Sequence, residues 1–121
     1  MKAVWVEIPA KDIERALRFY QAVFDLEPTE ISTDDVRRIA TLADTKSGGV
    51  GISLNQTQSF EPGDKGPLVY LDVGEDLTDQ LNRVEPAGGR ITAPKTSMGE
   101  AGYYATILDT EGNVLALYSY K

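Results

Sequence analysis

Ala105-Thr106-Ile107-Leu108-Asp109-Thr110 reads as the end of a strand running into a turn, and Ala40-Thr41-Leu42-Ala43-Asp44-Thr45 is nearly the same text earlier in the chain. Each stretch is followed by a glycine-containing turn and a second apolar strand. That strand is Val50-Gly51-Ile52-Ser53-Leu54 after the first copy and Val114-Leu115-Ala116-Leu117 after the second. The first turn is the longer of the two. A repeat of this size signals a duplicated unit, so the residues upstream of each hairpin should match as well.

They do. Val4-Trp5-Val6-Glu7-Ile8-Pro9 alternates like a half-buried strand, and so does Leu68-Val69-Tyr70-Leu71-Asp72-Val73. An acidic helix start follows each strand. Asp12 is placed to cap a helix whose Ile13, Ala16, Leu17, Tyr20, Val23 and Phe24 fall on one face. Asp76 is placed to cap a second helix that buries Leu77, Leu81 and Val84, and Pro86 and Gly88-Gly89 end it. Each half therefore reads strand, helix, then two or three strands. The predicted fold is α+β, made of two such modules at about 1–57 and 67–121. The segment 59–67, rich in Gly and Pro, is read as a connector without a functional signal. Ser97 to Gly102 is read as an ordinary loop, with a lid over the cleft as the alternative.

Composition narrows the chemistry. The 121 residues are 41% apolar and 26% charged, which suits one globular domain with a real core. There is no cysteine, hence no disulfide, thiolate nucleophile or sulfur metal ligand. There is no histidine either, which removes the commonest metal ligand, the usual acid–base group near neutral pH and the usual catalytic triads. A net charge of −7 repels nucleic acid. No apolar run is long enough to span a membrane, and the opening residues lack a signal-peptide layout. A cytoplasmic protein without nucleic-acid or membrane partners is expected.

Alternation then assigns the sheet faces. Val4, Val6 and Ile8 should lie under the first helix, and Val69, Leu71 and Val73 under the second. The opposite face collects Trp5, Glu7, Ser53 and Asn55 from the first half. From the second it collects Leu68, Tyr70, Ala116 and Tyr118. Rings and polar groups mixed in this way suit neither core nor open water, and a curved sheet with this inner face would enclose a cavity. Tyr103 and Tyr104 compete for the same face, because the inward set of their strand is not fixed by pattern. A dimer interface is the alternative use for the face.

The opening Glu7-Ile8-Pro9-Ala10-Lys11-Asp12-Ile13-Glu14-Arg15-Ala16-Leu17-Arg18-Phe19-Tyr20, continued by Val23-Phe24, resembles that of vicinal oxygen chelate proteins. These are the glyoxalase, bleomycin-resistance and extradiol-dioxygenase relatives. Asp109-Thr110-Glu111-Gly112-Asn113 is similar to their closing turn. The resemblance implies two βαβββ modules around a cleft and a homodimer. In the metal enzymes of that superfamily it implies a ligand on the first and last strand of each module. Those positions map here to Trp5, Ser53, Leu68 and Ala116. A methyl group at Ala116 stands where an acid is usual, and none of the four is a good ligand for a divalent ion. Shifting along the pleat meets Glu7, Tyr70 and Tyr118, which add one carboxylate. No cofactor and no metal are therefore expected.

Two functions follow. The first is metal-independent binding of an aromatic or cationic drug or metabolite. Trp5, Tyr70, Tyr118 and Tyr103 or Tyr104 would supply flat surface, Glu7 and Asp72 negative charge, and Ser53, Asn55 and Leu68 the remaining lining. The resemblance to bleomycin-resistance proteins, which sequester a basic drug, points the same way. The alternative is a metal-free lyase or isomerase with Glu7 as general base and Tyr70 or Tyr118 donating to an oxyanion.

Overall fold

The computed structural model describes residues 1–46 and 48–121. Strand β1 (Trp5–Pro9) leads into helix α1 (Ile13–Phe24), followed by β2 (Ser32–Thr33), β3 (Arg38–Ala43) and β4 (Gly51–Gln56). The order then repeats with β5 (Tyr70–Asp72), α2 (Thr78–Val84), β6 (Arg90–Ser97), β7 (Tyr103–Leu108) and β8 (Val114–Ser119). Two four-stranded mixed sheets result, ordered β1-β4-β3-β2 and β5-β8-β7-β6, and neither closes on itself. In each sheet the first strand runs parallel to the last, and the remaining pairs are antiparallel. The register matches the halves residue by residue: Glu7 pairs with Ser53 as Tyr70 pairs with Ala116, and Ile8 with Leu54 as Leu71 with Leu117. No helix among the described residues is long and apolar enough to cross a membrane.

Local chemistry explains the helices. The Asp12 side chain accepts the Arg15 N–H at 3.1 Å, satisfying one of the free amides of the first turn. Helix α1 ends at Asp25, which takes a left-handed conformation (φ 53°) that Asp tolerates better than most residues. In α2 the boundary residue Leu77 makes no side-chain cap. Asp76, one place earlier, accepts both the N–H and the hydroxyl of Thr78.

Helix α1 buries more than the expected stripe. Phe19 is buried along with Ile13, Ala16, Leu17, Tyr20 and Val23, whereas Phe24 is only half-buried. Phe19 stacks edge-on against Tyr20 with ring centroids 5.1 Å apart. Its far edge meets Gly89 of the second module, where an added Cβ would lie 2.6 Å from the ring. Helix α1 thus packs on its own sheet and on the other module at once. Arg83 of α2 also donates to the Val23 carbonyl in the last turn of α1, a favourable place for a cation.

The turn at 109–113 locks the modules together. Buried Asp109 accepts the amides of Glu111 and Asn113, the Asn113 side chain, and the Tyr20 hydroxyl at 2.6 Å. Glu111 reaches the start of α1. Its carboxylate accepts the Lys11 and Asp12 amides, each at 2.9 Å, and the Arg15 guanidinium at 2.8 Å. Asn113 donates to the Pro9 carbonyl and accepts from Gly63. Burial alone would raise the Glu111 carboxyl, but the bonds from Arg15, Asp12, Thr110 and Lys11 hold it below the usual range. Burial, reinforced by the Asp109 charge, pushes the Tyr20 phenol well above its ordinary value.

Candidate functional site

Trp5 and Glu7 point to the same face of β1, and Ser53 and Asn55 lie beside them on β4. The four side chains meet in two pairs. The Trp5 indole lies flat over Gly51, its register partner: a Cβ built on Gly51 would fall 2.1 Å from the ring. Only glycine leaves room for that posture. The indole Nε1–H then donates to the Ser53 hydroxyl at 3.1 Å. Further along, the Asn55 side chain donates to the Glu7 carboxylate at 2.7 Å. Arg37, just before β3, approaches the same carboxylate at 3.9 Å. Ser53 and Asn55 are buried, whereas Trp5 keeps 45% of its surface exposed.

The second half contributes less than its pattern promises. Leu68 and Tyr70 are exposed, and Leu68 lies just outside β5. Ala116 is fully buried opposite Tyr70 and Thr106. Tyr118 pairs with Tyr104, but its hydroxyl is already donated to the Ala101 carbonyl at 2.7 Å. That bond pins the loop around the 3₁₀ turn Gly99–Ala101 onto β8. Tyr103 leaves the set. It shares its face with buried Ala105 and Ile107 and packs against the core, with Lys95 over its ring at 4.8 Å. Tyr104 lies on the face away from the core, because strand alternation puts the core residues on the odd positions.

A cavity of about 590 Å³ opens beside Trp5, where edge strand β1 faces the start of the second module. This is within the usual range for a small-molecule site. Trp5, Val6, Ile8, Val69 and Leu115 line it, and the connector supplies Phe60, Asp64, Lys65 and Pro67. Leu68, Tyr70, Tyr104 and Tyr118 do not. Tyr70 lines a separate cavity of about 360 Å³ with Val50, Ile52 and Leu71. The aromatic partner of Trp5 is therefore Phe60, a residue that the pattern reading passed over inside a Gly- and Pro-rich loop. A lone large ring in an otherwise polar connector was the available signal.

The donor set does not fit a divalent metal. Of the positions that the resemblance assigns, Trp5 carries a hydrogen on its one ring nitrogen and spends it on Ser53. Leu68 and Ala116 offer no donor atom. Glu7 is the one carboxylate in the Trp5 cluster, and it is bonded to Asn55. Among the described residues no three acidic, His or Cys side chains gather closely enough to hold an ion.

A family profile described as the glyoxalase/bleomycin resistance protein/dioxygenase superfamily matches residues 2–117. The chain belongs to that superfamily. Solved structures of the same fold include a glyoxylase/bleomycin resistance protein/dioxygenase domain from Frankia sp. EAN1pec, at 19% identity and a TM-score of 0.77, covering 100% of this chain and 93% of that one. Another is a variant of the fosfomycin resistance protein FosX from Listeria monocytogenes, complexed with Mn(II) and 1S,2S-dihydroxypropylphosphonic acid. It shows 14% identity and a TM-score of 0.71, covering 97% of this chain and 90% of that one. A glyoxalase I variant from Zea mays follows at 18% identity and a TM-score of 0.70, covering 97% of this chain and 46% of that one. At these identities the likeness is one of fold. No curated protein matches the chain. Within the superfamily, the Asp109–Asn113 motif that carried the resemblance is here a structural lock.

Proposed function

We propose that this superfamily member binds a small aromatic or cationic organic molecule in the cleft beside Trp5 and does so without a metal. The observation that carries the reading is the 3.1 Å hydrogen bond between Trp5 and Ser53 over Gly51. Two positions that metal-dependent relatives are expected to turn toward an ion are here turned toward each other. What remains on offer is an indole face, the Phe60 ring and the Glu7 carboxylate, a combination suited to stacking and to positive charge.

Trp5 is the only tryptophan in the chain, so its fluorescence reports the site directly. Aromatic cations should quench it saturably, and Trp5→Phe should abolish the signal. Flat titrations across a broad library would remove the reading. Elemental analysis of protein purified without chelators should find no stoichiometric transition metal, and a bound zinc, nickel, iron or manganese would overturn metal independence.

The Glu7 environment supports a second reading, a metal-free lyase or isomerase. An amide donor orients this carboxylate at 2.7 Å, and Arg37 stands 3.9 Å away. Glu7 would take a proton from a carbon next to a carbonyl, and Arg37 would stabilise the oxyanion that forms. Glu7→Gln should then abolish turnover while sparing binding; unchanged turnover would exclude Glu7 as the base. A homodimer is proposed from the resemblance and from the exposed Val4, Leu68 and Tyr70. A monomer in light scattering at working concentration would refute it.

A further inference from the structure

The cavity beside Trp5 does not end at Glu7. A second chamber of about 420 Å³ adjoins it, lined by Arg37, Asn55, Thr57 and Ser59. Glu7 and Phe60 line both chambers. The first chamber is walled mainly by Trp5, Val6, Ile8, Phe60, Val69 and Leu115, all apolar. The second brings the polar side chains of Arg37, Asn55, Thr57 and Ser59. A ligand filling both is amphiphilic, with its apolar body toward the seam between the modules and its head toward Asn55.

The unmet hydrogen-bonding needs fix the chemistry of the head. Asn55 is only 5% exposed. Its Nδ2 is committed to Glu7 at 2.7 Å, so the identity of its other end is settled: Oδ1, buried, accepts from nothing. A buried acceptor without a donor is rare and costly. Glu7 also has lone pairs to spare, because Arg37 at 3.9 Å is beyond hydrogen-bonding distance and both groups are partly exposed. Two adjoining acceptors, one of them charged, call for a donor that carries positive charge. An anionic head would meet Glu7 as a like charge. A quaternary ammonium would match the charge but bring no N–H for Asn55. Oδ1 is enclosed in the free protein, so the head must displace a side chain to reach it. Arg37, the loosely held wall of this chamber, is the one we assign.

We infer that the ligand is an amphiphilic organic ammonium, whose N–H groups are read by Asn55 and Glu7 and whose apolar body lies between Trp5 and the connector residue Phe60. This rests on the small-molecule reading above and deepens it, by adding the second chamber and the N–H that Asn55 requires of the head.

Three probes of one shape test it by calorimetry: 2-naphthylmethylammonium, its N,N,N-trimethyl counterpart and 2-naphthylacetate. The primary ammonium should bind about tenfold or more tighter than either of the others, the size of one charge-assisted hydrogen bond. Asn55→Leu should bring the ammonium and trimethylammonium probes to within about twofold of each other. Glu7→Gln should shrink the preference over naphthylacetate, which keeps the test open if Asn55→Leu does not fold. Phe60→Ala should weaken the ammonium probe about tenfold while leaving the order of preference intact. Equal or tighter binding of the trimethyl or acetate probe would overturn the assignment of the head and leave the small-molecule reading standing. Unchanged affinity in Phe60→Ala would overturn the placement of the body. Absence of binding by all three at millimolar concentration would overturn this inference, and only a flat Trp5 response across a broad library would remove the wider reading with it.

Discussion

The turn at 109–113 and its counterpart after Asp44 grow from the same sequence pattern and end in opposite surroundings. Asp109 is 4% exposed and accepts four hydrogen bonds from three residues, one of them on the other module. Asp44 is exposed and accepts the Lys46 amide. Glu111 closes one end of the seam by holding α1, whereas the repeat has Lys46 in that part of its turn, which offers no acceptor. Among the described residues, no hydrogen bond joins the first turn to the second module. That end instead keeps the 360 Å³ cavity bordered by Val50, Tyr70 and Asp72. Duplication thus supplied two equal scaffolds, and a few side chains made one end of the seam a clasp and left the other open.

The sharpest way to break this comparison is a matched pair of substitutions. Asp109→Ala should cost about 3 kcal/mol or more, because it strands buried Tyr20 and two turn amides. Asp44→Ala should change stability by less than about 0.5 kcal/mol, as expected at an exposed turn. Urea unfolding measures both, and similar losses would show that the turns are equivalent. Glu111→Gln comes next, at about 2 kcal/mol, since it weakens a charge-assisted contact to Arg15 and to two helix-start amides.

The same residue predicts a pH dependence. Its folded pKa lies below its ordinary value of 4.5, so the unfolded chain takes up the proton first as the solution is acidified. The stabilisation is complete above that ordinary value and is lost as pH falls through the folded pKa. Glu111→Gln should therefore flatten the acid limb of a stability–pH curve, and an unchanged limb would place the sensitivity elsewhere. The site should respond less than the clasp does. Gly51→Ala should cost about 1 kcal/mol by crowding, yet it should throw the indole off the sheet and shift Trp5 emission to the red. Unshifted emission would mean that the ring does not depend on Gly51.

Much of this architecture is legible in the residues themselves. The repeat, both acidic helix starts and the alternation of β1 and β8 lead to the observed sheets, because each rests on neighbours close in sequence. Phe19 escapes the pattern because its second partner, Gly89, is far along the chain, and a helical stripe describes only one face. Phe60 escapes because a loop has no period from which to read a direction. At the site, alternation gives the face of Trp5 but not its posture. The ring can lie down only because Gly51 is opposite, and that pairing is known only once the register is. Tyr118 is on the expected strand, but its hydroxyl bond to Ala101 depends on a loop whose path no local rule fixes.

The contact between Glu111 and the amides of Lys11 and Asp12 spans 100 and 99 positions of sequence. During synthesis the opening turn of α1 therefore leaves the ribosome long before the carboxylate that will satisfy it. A nascent chain that stops short of Glu111 already holds the whole first module, with the amides of Lys11 and Asp12 still waiting for that acceptor. The turn between β7 and β8 thus finishes the start of a helix that was made long before it.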